Sequence, residues 1–264
     1  CALPILLVTL FTNGTLITPD IADYLAEWRP FLVEITLYGM SRQTYERVTG
    51  VEGSYERCIR GIELLLDRGI PLKLKTMLMT LNRHELRDME AYAEELGVGF
   101  RFDPMINAGL GGLGLPTQYR LTPEEIVGIE SQDPDRRRRW PSYYENLSSS
   151  EEDPDRTDSL YTCSAGLNTF HIDAYGQLCL CLEARRPSFD LRTGSFHEGW
   201  EDFLAQVRAQ KVSADFECTS CALRSMCGQC AGLAVLEHGH PEQKVDFACR
   251  LAHLRADVFQ SLDS

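Results

Sequence analysis

The sequence predicts an α/β protein in which parallel strands, arranged as a partial barrel or an open doubly wound sheet, precede a small cysteine-rich α+β domain with a β-hairpin. Three observations support this fold class. Strand-like and helix-like segments alternate four times over the first 130 residues. Apolar and polar residues then alternate strictly from Thr169 to Leu182. Eight of the ten cysteines lie between Cys163 and Cys249.

The elements of the first half follow from apolar spacing and from residues that begin or end helices. Thr18 and Pro19 suit the N-cap and the first position of a helix. Asn82 and Glu85 have the spacing of a capping box. The connections are long enough to keep successive strands parallel. In order, we expect a buried strand at 3–11, a helix at 18–29, a strand at 31–37, a helix at 54–68, a strand at 72–79, a helix at 82–96, a strand at 98–102 and a helix from Thr122.

Composition and charge exclude several classes of function. The formal net charge is −13, and the basic residues form no stripe, so we expect no nucleic-acid partner. The longest apolar stretch, Ala2–Phe11, is broken by Pro4 and Thr9 and is far shorter than the roughly 18 residues of a spanning helix, so we expect no membrane contact. No basic segment precedes this stretch, which argues against a secretory signal.

A change in composition predicts the domain boundary. Residues 131–160 are rich in Pro, Ser, Asp and Arg and are expected to be a linker, with Arg136–Arg139 on a solvated face. The glycines of Gly109–Gly114 lack the Lys-Ser/Thr of a phosphate-binding loop and indicate a connector. We therefore expect an α/β domain at 1–130 and a second domain at 161–264.

The second domain is predicted to open with a β-hairpin that turns at Ala174–Gly176. Its alternation places Leu178, Leu180 and Leu182 on one face, and Cys179 and Cys181 on the other. Two thiols on one strand face favour a bound group. A helix containing Trp200, Phe203 and Val207 and a closing helix at 247–262 are expected to follow.

The spacing Cys218-x2-Cys221-x5-Cys227-x2-Cys230 is the strongest chemical signal in the chain. A Cys-x2-Cys pair lets two thiolates converge on one metal centre. Eight clustered cysteines supply two sets of four, the usual stoichiometry of [4Fe-4S] ligation. Structural zinc and disulfides are the alternatives, and spacing alone does not separate zinc from iron–sulfur.

These residues resemble a known family. Cys163, Gly176, Cys181, the run Cys218–Cys230 and the distant Cys249 are similar to the seven-cysteine SPASM signature of radical S-adenosylmethionine (SAM) enzymes. The departure is one residue, because the family usually has three residues between the last two cysteines of the run. Upstream, Leu10–Leu16, Val33–Gly39 and Tyr45–Gly50 resemble the third strand, the fourth strand and the loop after it in the radical SAM partial barrel.

The resemblance also implies what the 264 residues lack. The family holds its catalytic cluster with a Cys-x3-Cys-x2-Cys loop and the methionine amino group with a Gly-Gly-Glu-Pro segment, and neither occurs here. The expected fold is therefore a fragment without the first two strand–helix units, followed by a SPASM domain. Alone, this fragment is expected not to cleave SAM. Cys58 lies within a predicted helix and is expected in the core.

Carried over by residue, the resemblance implies two auxiliary [4Fe-4S] clusters. One would be held by Cys218, Cys221, Cys227 and Cys249, and the other by Cys163, Cys181 and Cys230. Cys179 is our candidate for the open position of the second cluster, because it is predicted to share a face with Cys181. Thr36 and Asn13 are the candidate SAM-binding residues; the alternatives are an ordinary strand threonine and a turn-forming asparagine.

The function that this resemblance implies is that of a radical SAM/SPASM maturase. In the full-length enzyme, SAM and a third [4Fe-4S] cluster would generate a 5'-deoxyadenosyl radical that acts on a ribosomally made peptide or a partner protein. The auxiliary clusters would bind substrate or relay electrons from a donor such as flavodoxin or ferredoxin, in the cytoplasm. The alternative is a non-catalytic binding module stabilised by zinc or by clusters.

Overall fold

Four strands of the first half form one parallel sheet. In this computed structural model, which describes residues 6–138, 140, 158–224 and 227–260, they pair in the order β1, β2, β3, β4. Each strand therefore neighbours the next strand along the chain, which is the arrangement of a (β/α) barrel and not of a doubly wound sheet. The strands are β1 Thr9–Thr12, β2 Leu32–Thr36, β3 Leu72–Met77 and β4 Gly99–Asp103.

Helices between the strands cover one face of this sheet. Val33 and Ile35 of β2, and Leu72 and Leu74 of β3, point to that face and pack in one core with residues of the helices, among them Ile62. Parallel strands need such cover because their side chains are otherwise left in water. The helices are α1 Pro19–Glu27, α2 Arg42–Thr49, α3 Ser54–Asp67 and α4 Leu86–Glu95.

Several predicted elements are confirmed at their caps. The Thr18 hydroxyl accepts a hydrogen bond from the Ile21 N–H at 3.3 Å and begins α1. Thr122 and Glu125 form a complete capping box, which begins α5 at Pro123–Glu130. Cys58 is fully buried in α3, as expected of a core thiol.

Three expectations for the first half are wrong. Of the buried strand expected at 3–11, residues 3–5 lie outside the described part of the chain, and residues 6–8 are not in a strand: β1 begins at Thr9, and Leu6 and Leu7 are 81% and 76% exposed. Among the described residues β1 pairs only with β2, so it lies at the sheet edge. Residues 45–49, expected in a loop, belong to helix α2, which the Ser41 hydroxyl caps. Asn82 does not cap α4, because its side chain is buried and bonds to loops instead.

The chain divides into two compact units. The first comprises residues 1–106 and 119–121, and the second comprises residues 107–118 and 122–264. The boundary expected at 131–160 therefore falls inside the second unit. Within that stretch, residues 134–138 are helical, and residues 141–157 lie outside the described part of the chain.

The first α-helix of the second unit is α5, which packs against the closing helix α8 at Asp246–Gln260. Its hairpin strands, β5 His171–Ile172 and β6 Gln177–Cys179, are antiparallel, as expected, and β7 Phe189–Asp190 adds a third strand that the sequence did not predict. The helix expected around Trp200 is a π-helical segment, Glu198–Leu204, that continues into α6 at Ala205–Arg208. Helix α7 is Ala231–His238.

The alternation expected on the hairpin stops early. Leu178 and Leu180 are buried, but Leu182 is 57% exposed, because β6 ends at Cys179. Cys179 is itself only 2% exposed, so both sides of this short strand are covered. The two cysteines therefore do not lie together on an open face of a long strand.

A buried carboxylate joins α5 to its neighbours in the second unit. Glu130 is completely buried, and its carboxylate accepts hydrogen bonds from Arg136 at 2.6 Å and from Arg255 of α8 at 2.8 Å. Arg136 is thus a structural partner, and not part of a solvated face as expected. Among the described residues, no helix is long and apolar enough to span a membrane.

Candidate functional site

The carboxyl edge of the parallel sheet carries both candidate SAM-binding residues. Asn13 follows β1 directly, and Thr36 is the last residue of β2, its neighbour in the sheet. Thr36 is 9% exposed. The Asn13 side-chain oxygen accepts hydrogen bonds from the Thr15 N–H at 3.1 Å and the Thr15 hydroxyl at 2.9 Å. Asn13 therefore stabilises a turn, and a role of either residue toward SAM stays a prediction.

Close packing holds the turn after β1 in place. A side chain at Gly61 of α3 would clash with the main-chain carbonyl oxygen of Gly14, so only glycine allows this approach. The buried Tyr45 hydroxyl also reaches the Asn13 carbonyl oxygen, at 3.5 Å. The turn is thus anchored from two helices.

Glu85 organises the loop that follows β2. Its carboxylate accepts hydrogen bonds from the Met40 N–H at 2.6 Å, from the Ser41 N–H at 3.1 Å, and from the Ser41 and Thr44 hydroxyls at 2.6 Å each. Burial alone would raise the pKa of Glu85, but the bonds from Ser41, Thr44 and Met40 hold it below its usual range. This carboxylate therefore fixes the segment directly after Thr36 and Leu37.

Glu85→Gln is expected to lower the free energy of unfolding by about 1.5–3 kcal/mol at pH 7, the usual contribution of a hydrogen bond to a charged group. Because the folded pKa lies below the unfolded value, the carboxylate stabilises the protein above about pH 4.5 and loses this effect as the pH falls through the folded pKa. Urea unfolding curves at several pH values measure the difference between the two proteins.

The same substitution at Glu90, a more exposed glutamate paired with Arg87 on α4, is the control and is expected to change stability by less than about 1 kcal/mol. A Glu85→Gln difference that stays constant down to pH 3 would show that the charge of Glu85 has no part in holding the loop.

Sequence reasoning missed a polar face on the parallel sheet. Glu34 lies on β2 between Val33 and Ile35, and its carboxylate bonds to Lys75 Nζ of β3 at 3.3 Å and to Arg101 of β4. Burial would raise the pKa of Glu34, but these two cations hold it below its usual range. Lys73 lies on the same strand face as Lys75.

The signal for this polar face was in the sequence. Leu72–Met77 alternates leucine with lysine before Thr76, and Gly99–Asp103 alternates phenylalanine with Arg101 and Asp103. Such alternation in a parallel strand indicates one covered face and one polar face.

Five of the predicted metal-binding cysteines line one cavity in the second unit: Cys218, Cys221, Cys227, Cys230 and Cys249. Burial raises the pKa of the Cys227 thiol, and the thiols of Cys249, Cys218 and Cys221 raise it further, although the Gln229 N–H bonds to its sulfur at 3.4 Å. Cys218 is likewise raised by burial first, and then by charges that include Cys221 and Cys249. Cys218, Cys221, Cys227 and Cys249, which the resemblance assigns to one cluster, thus share this cavity with Cys230.

A second group of thiols lies near Tyr161. Cys181 packs in one apolar cluster with Tyr161 and with Ala231, which follows Cys230 directly. Burial raises the pKa of Tyr161, and the thiols of Cys181, Cys230 and Cys163 raise it further. That these three cysteines hold one cluster stays a prediction. The Ala184 N–H bonds to the Cys181 sulfur at 3.2 Å.

Cys230 is the N-cap of α7, and its sulfur accepts a hydrogen bond from the Leu233 N–H at 3.3 Å. Burial nevertheless raises the pKa of its thiol to about 12, to which Glu183 adds. A metal that binds Cys230 must displace this proton.

Cys179 differs from the other cysteines in the hydrogen bonds that its thiol makes. Its sulfur is 3.6 Å from the carbonyl oxygens of His171 and Cys181, to which its S–H donates. Burial raises the pKa of this thiol as well.

The cysteine groups differ from the site of a single ion. Among the described residues, no three His, Cys, Asp or Glu side chains converge closely enough to hold one metal ion. Thiolates around one zinc ion lie about 4 Å apart, since each Zn–S bond is about 2.3 Å in a tetrahedron. A cluster of four irons and four sulfides is a larger body with a thiolate at each corner. The cavity offers the donor type that such a cluster takes, with five thiols where one cluster needs four.

The comparisons with known proteins identify the first unit. Residues 1–96 match the model of the radical SAM superfamily. The first 96 residues thus resemble a radical SAM domain. An "AdoMet-dependent heme synthase" of Methanosarcina barkeri is 32% identical over 90 residues, which are 34% of this chain and 26% of that protein. The "AdoMet-dependent heme synthase" of Nitratidesulfovibrio vulgaris is 24% identical over 243 residues, 84% of this chain and 65% of that protein. The chain thus spans less than two thirds of these relatives.

Solved structures support the fold of the radical SAM domain. Native anSMEcpe with bound AdoMet and Cp18Cys peptide matches with a TM-score of 0.60 and 15% identity, over 97% of this chain and 73% of that one. SuiB of Streptococcus suis bound to S-adenosylmethionine matches with a TM-score of 0.66 and 14% identity, over 92% and 59%. At these identities the likeness shows the fold alone, and it confirms the predicted partial barrel. The SPASM assignment of the second unit stays a prediction.

Proposed function

We propose that the chain is part of a radical SAM enzyme that modifies a peptide or a partner protein and carries two auxiliary iron–sulfur clusters in its second unit. The observation that supports the clusters best is the cavity that Cys218, Cys221, Cys227 and Cys249 line together with Cys230. Thiolate donors select iron–sulfur clusters, zinc or Cu(I). The eight cysteines between Cys163 and Cys249, which supply two sets of four, favour iron–sulfur clusters.

Each group of residues has a role in this proposal. Thr36 and Asn13, at the carboxyl edge of the sheet, would contact SAM, and Glu85 would hold the loop beside Thr36. Bound clusters would supply electron transfer or a substrate-binding iron. A small redox protein such as flavodoxin or ferredoxin would donate the electrons. The peptide partner is supported by anSMEcpe, which was crystallised with peptides.

Anaerobic reconstitution with iron and sulfide tests the clusters. The purified chain is expected to bind about eight iron and eight sulfide, two clusters of four, and to give the broad visible absorption of iron–sulfur proteins. A parallel sample receives zinc and iron in equal amounts. Stoichiometric zinc binding without sulfide would contradict the proposal and favour the zinc-stabilised binding module.

A second candidate substrate is a small molecule that bears carboxylates. The polar face of the sheet favours it, because Lys73, Lys75 and Arg101 outnumber Glu34 and Asp103 there by one positive charge. The relatives named heme synthase point the same way, since haem carries two propionates. The same radical chemistry would then act on a tetrapyrrole in place of a peptide.

Absorbance titration separates the two substrate classes. If the second candidate is right, the chain binds a tetrapyrrole with free carboxylates, and Lys73→Glu weakens binding by about tenfold, roughly one charged hydrogen bond. The tetrapyrrole methyl ester is the matched ligand, and Lys211→Glu in the second unit is the control variant. Equal binding of acid and ester would favour the peptide.

A further inference from the structure

The second cluster of the proposed function has three assigned thiols and needs a fourth ligand. Cys181 packs in one apolar cluster with Tyr161 and with Ala231, which follows Cys230 directly, and a [4Fe-4S] cluster has four irons to be ligated. Two side chains of the second unit are near enough in sequence or in space to supply that ligand: Cys179, two residues before Cys181, and Glu183, two residues after it.

The Cys179 thiol is buried and already hydrogen-bonded to main-chain carbonyl oxygens. It is 2% exposed and pairs with His171 across the hairpin. Its S–H donates to the carbonyl oxygens of His171 and Cys181, each at 3.6 Å. To ligate iron, this thiol would have to lose its proton inside the hairpin and leave both carbonyls.

Glu183 lies directly against one of the three thiols. Its Oε2 is 3.5 Å from the Cys230 sulfur, and its other carboxylate oxygen accepts a hydrogen bond from the Asn107 side chain. The contact to Cys230 bridges 47 residues of sequence, so it results from the fold of the second unit.

Gly232 makes this approach possible. A Cβ at position 232 would lie 3.0 Å from the Ala184 nitrogen and 3.1 Å from the Glu183 Cβ, both tighter than ordinary contacts. Any other residue at the start of α7 would therefore push the segment that carries Glu183 away from Cys230, the N-cap of that helix.

We propose, on the basis of the function proposed above, that Glu183 and not Cys179 supplies the fourth ligand of the cluster that Cys163, Cys181 and Cys230 hold. A carboxylate is a harder ligand than a thiolate and prefers harder cations. The iron at this corner is therefore the most easily exchanged of the four, and the corner is the one open to a carboxylate, amine or thiolate of a substrate.

The test compares iron content and spectra of the reconstituted full chain after one equivalent of ferricyanide per cluster. Ferricyanide takes one electron from a [4Fe-4S]2+ cluster, which releases one Fe2+ and leaves [3Fe-4S]+, visible by electron paramagnetic resonance. Glu183→Gln is expected to hold about seven irons and eight sulfides before ferricyanide is added, because release of Fe2+ from the [4Fe-4S]2+ cluster leaves [3Fe-4S]0, from which ferricyanide then takes one electron to give the [3Fe-4S]+ signal. Cys179→Ser is expected to behave as the parent chain does.

Two further variants separate ligation from a structural role. Glu183→Cys restores a ligand of the thiolate type but not the bond to Asn107, so it is expected to hold all four irons against ferricyanide. Asn107→Ala removes that bond and keeps the carboxylate, and it too is expected to retain the iron. The proposal is overturned if Glu183→Gln keeps its iron, if Cys179→Ser loses it, or if Glu183→Cys does not restore it. If the parent chain takes up no sulfide, this result contradicts the proposed function itself, and it is obtained before any variant is compared.

Discussion

Cys221→Ser is expected to remove one whole cluster, lowering the bound iron from about eight to about four per chain. The Cys221 thiol lines the cavity of the second unit. The main chain of Cys221 also forms a turn: its N–H donates a hydrogen bond to the Cys218 carbonyl oxygen at 3.3 Å, and its carbonyl oxygen accepts one from the Arg224 N–H at 3.0 Å. Because metal binding contributes directly to folding in small modules, the loop is expected to lose protection from proteolysis along with the cluster.

Two cysteine variants serve as controls for this experiment. Cys58→Ala changes the buried thiol of α3 in the first unit and is expected to leave the iron content unchanged. Cys179→Ser is expected to be mild in the same measurement. A Cys221→Ser chain that keeps all its iron, or a Cys179→Ser chain that loses a cluster, would contradict the ligand assignment.

Glu130→Ala is expected to lower the free energy of unfolding by about 3–5 kcal/mol, the range for removing one partner of a buried ion pair. The substitution removes a carboxylate from two guanidinium groups, on side chains that are only 20% exposed for Arg136 and 14% for Arg255. Arg136 keeps its contact with Asp133 at 3.5 Å, so the cost comes mainly from the charge of Arg255. Guanidinium chloride unfolding, followed by circular dichroism, measures it.

Glu124→Ala is the matched control on the same helix. Glu124 pairs with Arg250 of α8, but both side chains are about half exposed, so the loss is expected to stay below about 1 kcal/mol. Similar losses for the two variants would show that burial of Glu130 adds nothing to its contribution.

The first unit was largely predictable because its elements are specified locally. The side chain of Thr18 caps its own helix, and leucines at alternate positions of Leu72–Met77 face the covered side of the sheet. Helix α2 escaped prediction because its eight residues are mostly polar and carry no apolar stripe. Asn82 and Glu85 matched a capping box by spacing, yet each bonds to a segment about 40 residues away, which no local pattern encodes.

The residues of the candidate site also include some that the sequence indicated and some that it did not. The grouping of Cys218, Cys221, Cys227 and Cys249 stays a prediction from the family resemblance; these four thiols line one cavity, but Cys230 lines it too. Glu183 was not foreseen, because nothing near position 183 indicates that Cys230 will fold against it. The pairing of Glu34 with Lys75 and Arg101 likewise depends on strand register, which becomes known only when the sheet is assembled.

The sequential order of the parallel strands has a consequence for biosynthesis. Each strand of the sheet pairs with the strand that precedes it along the chain, so none of these pairings waits for a later segment of the described chain. The last strand of the sheet ends at Asp103, before Cys163 and every later thiol has been translated. The residues of the sheet therefore leave the ribosome first, and the clusters of the proposed function could be loaded only after them.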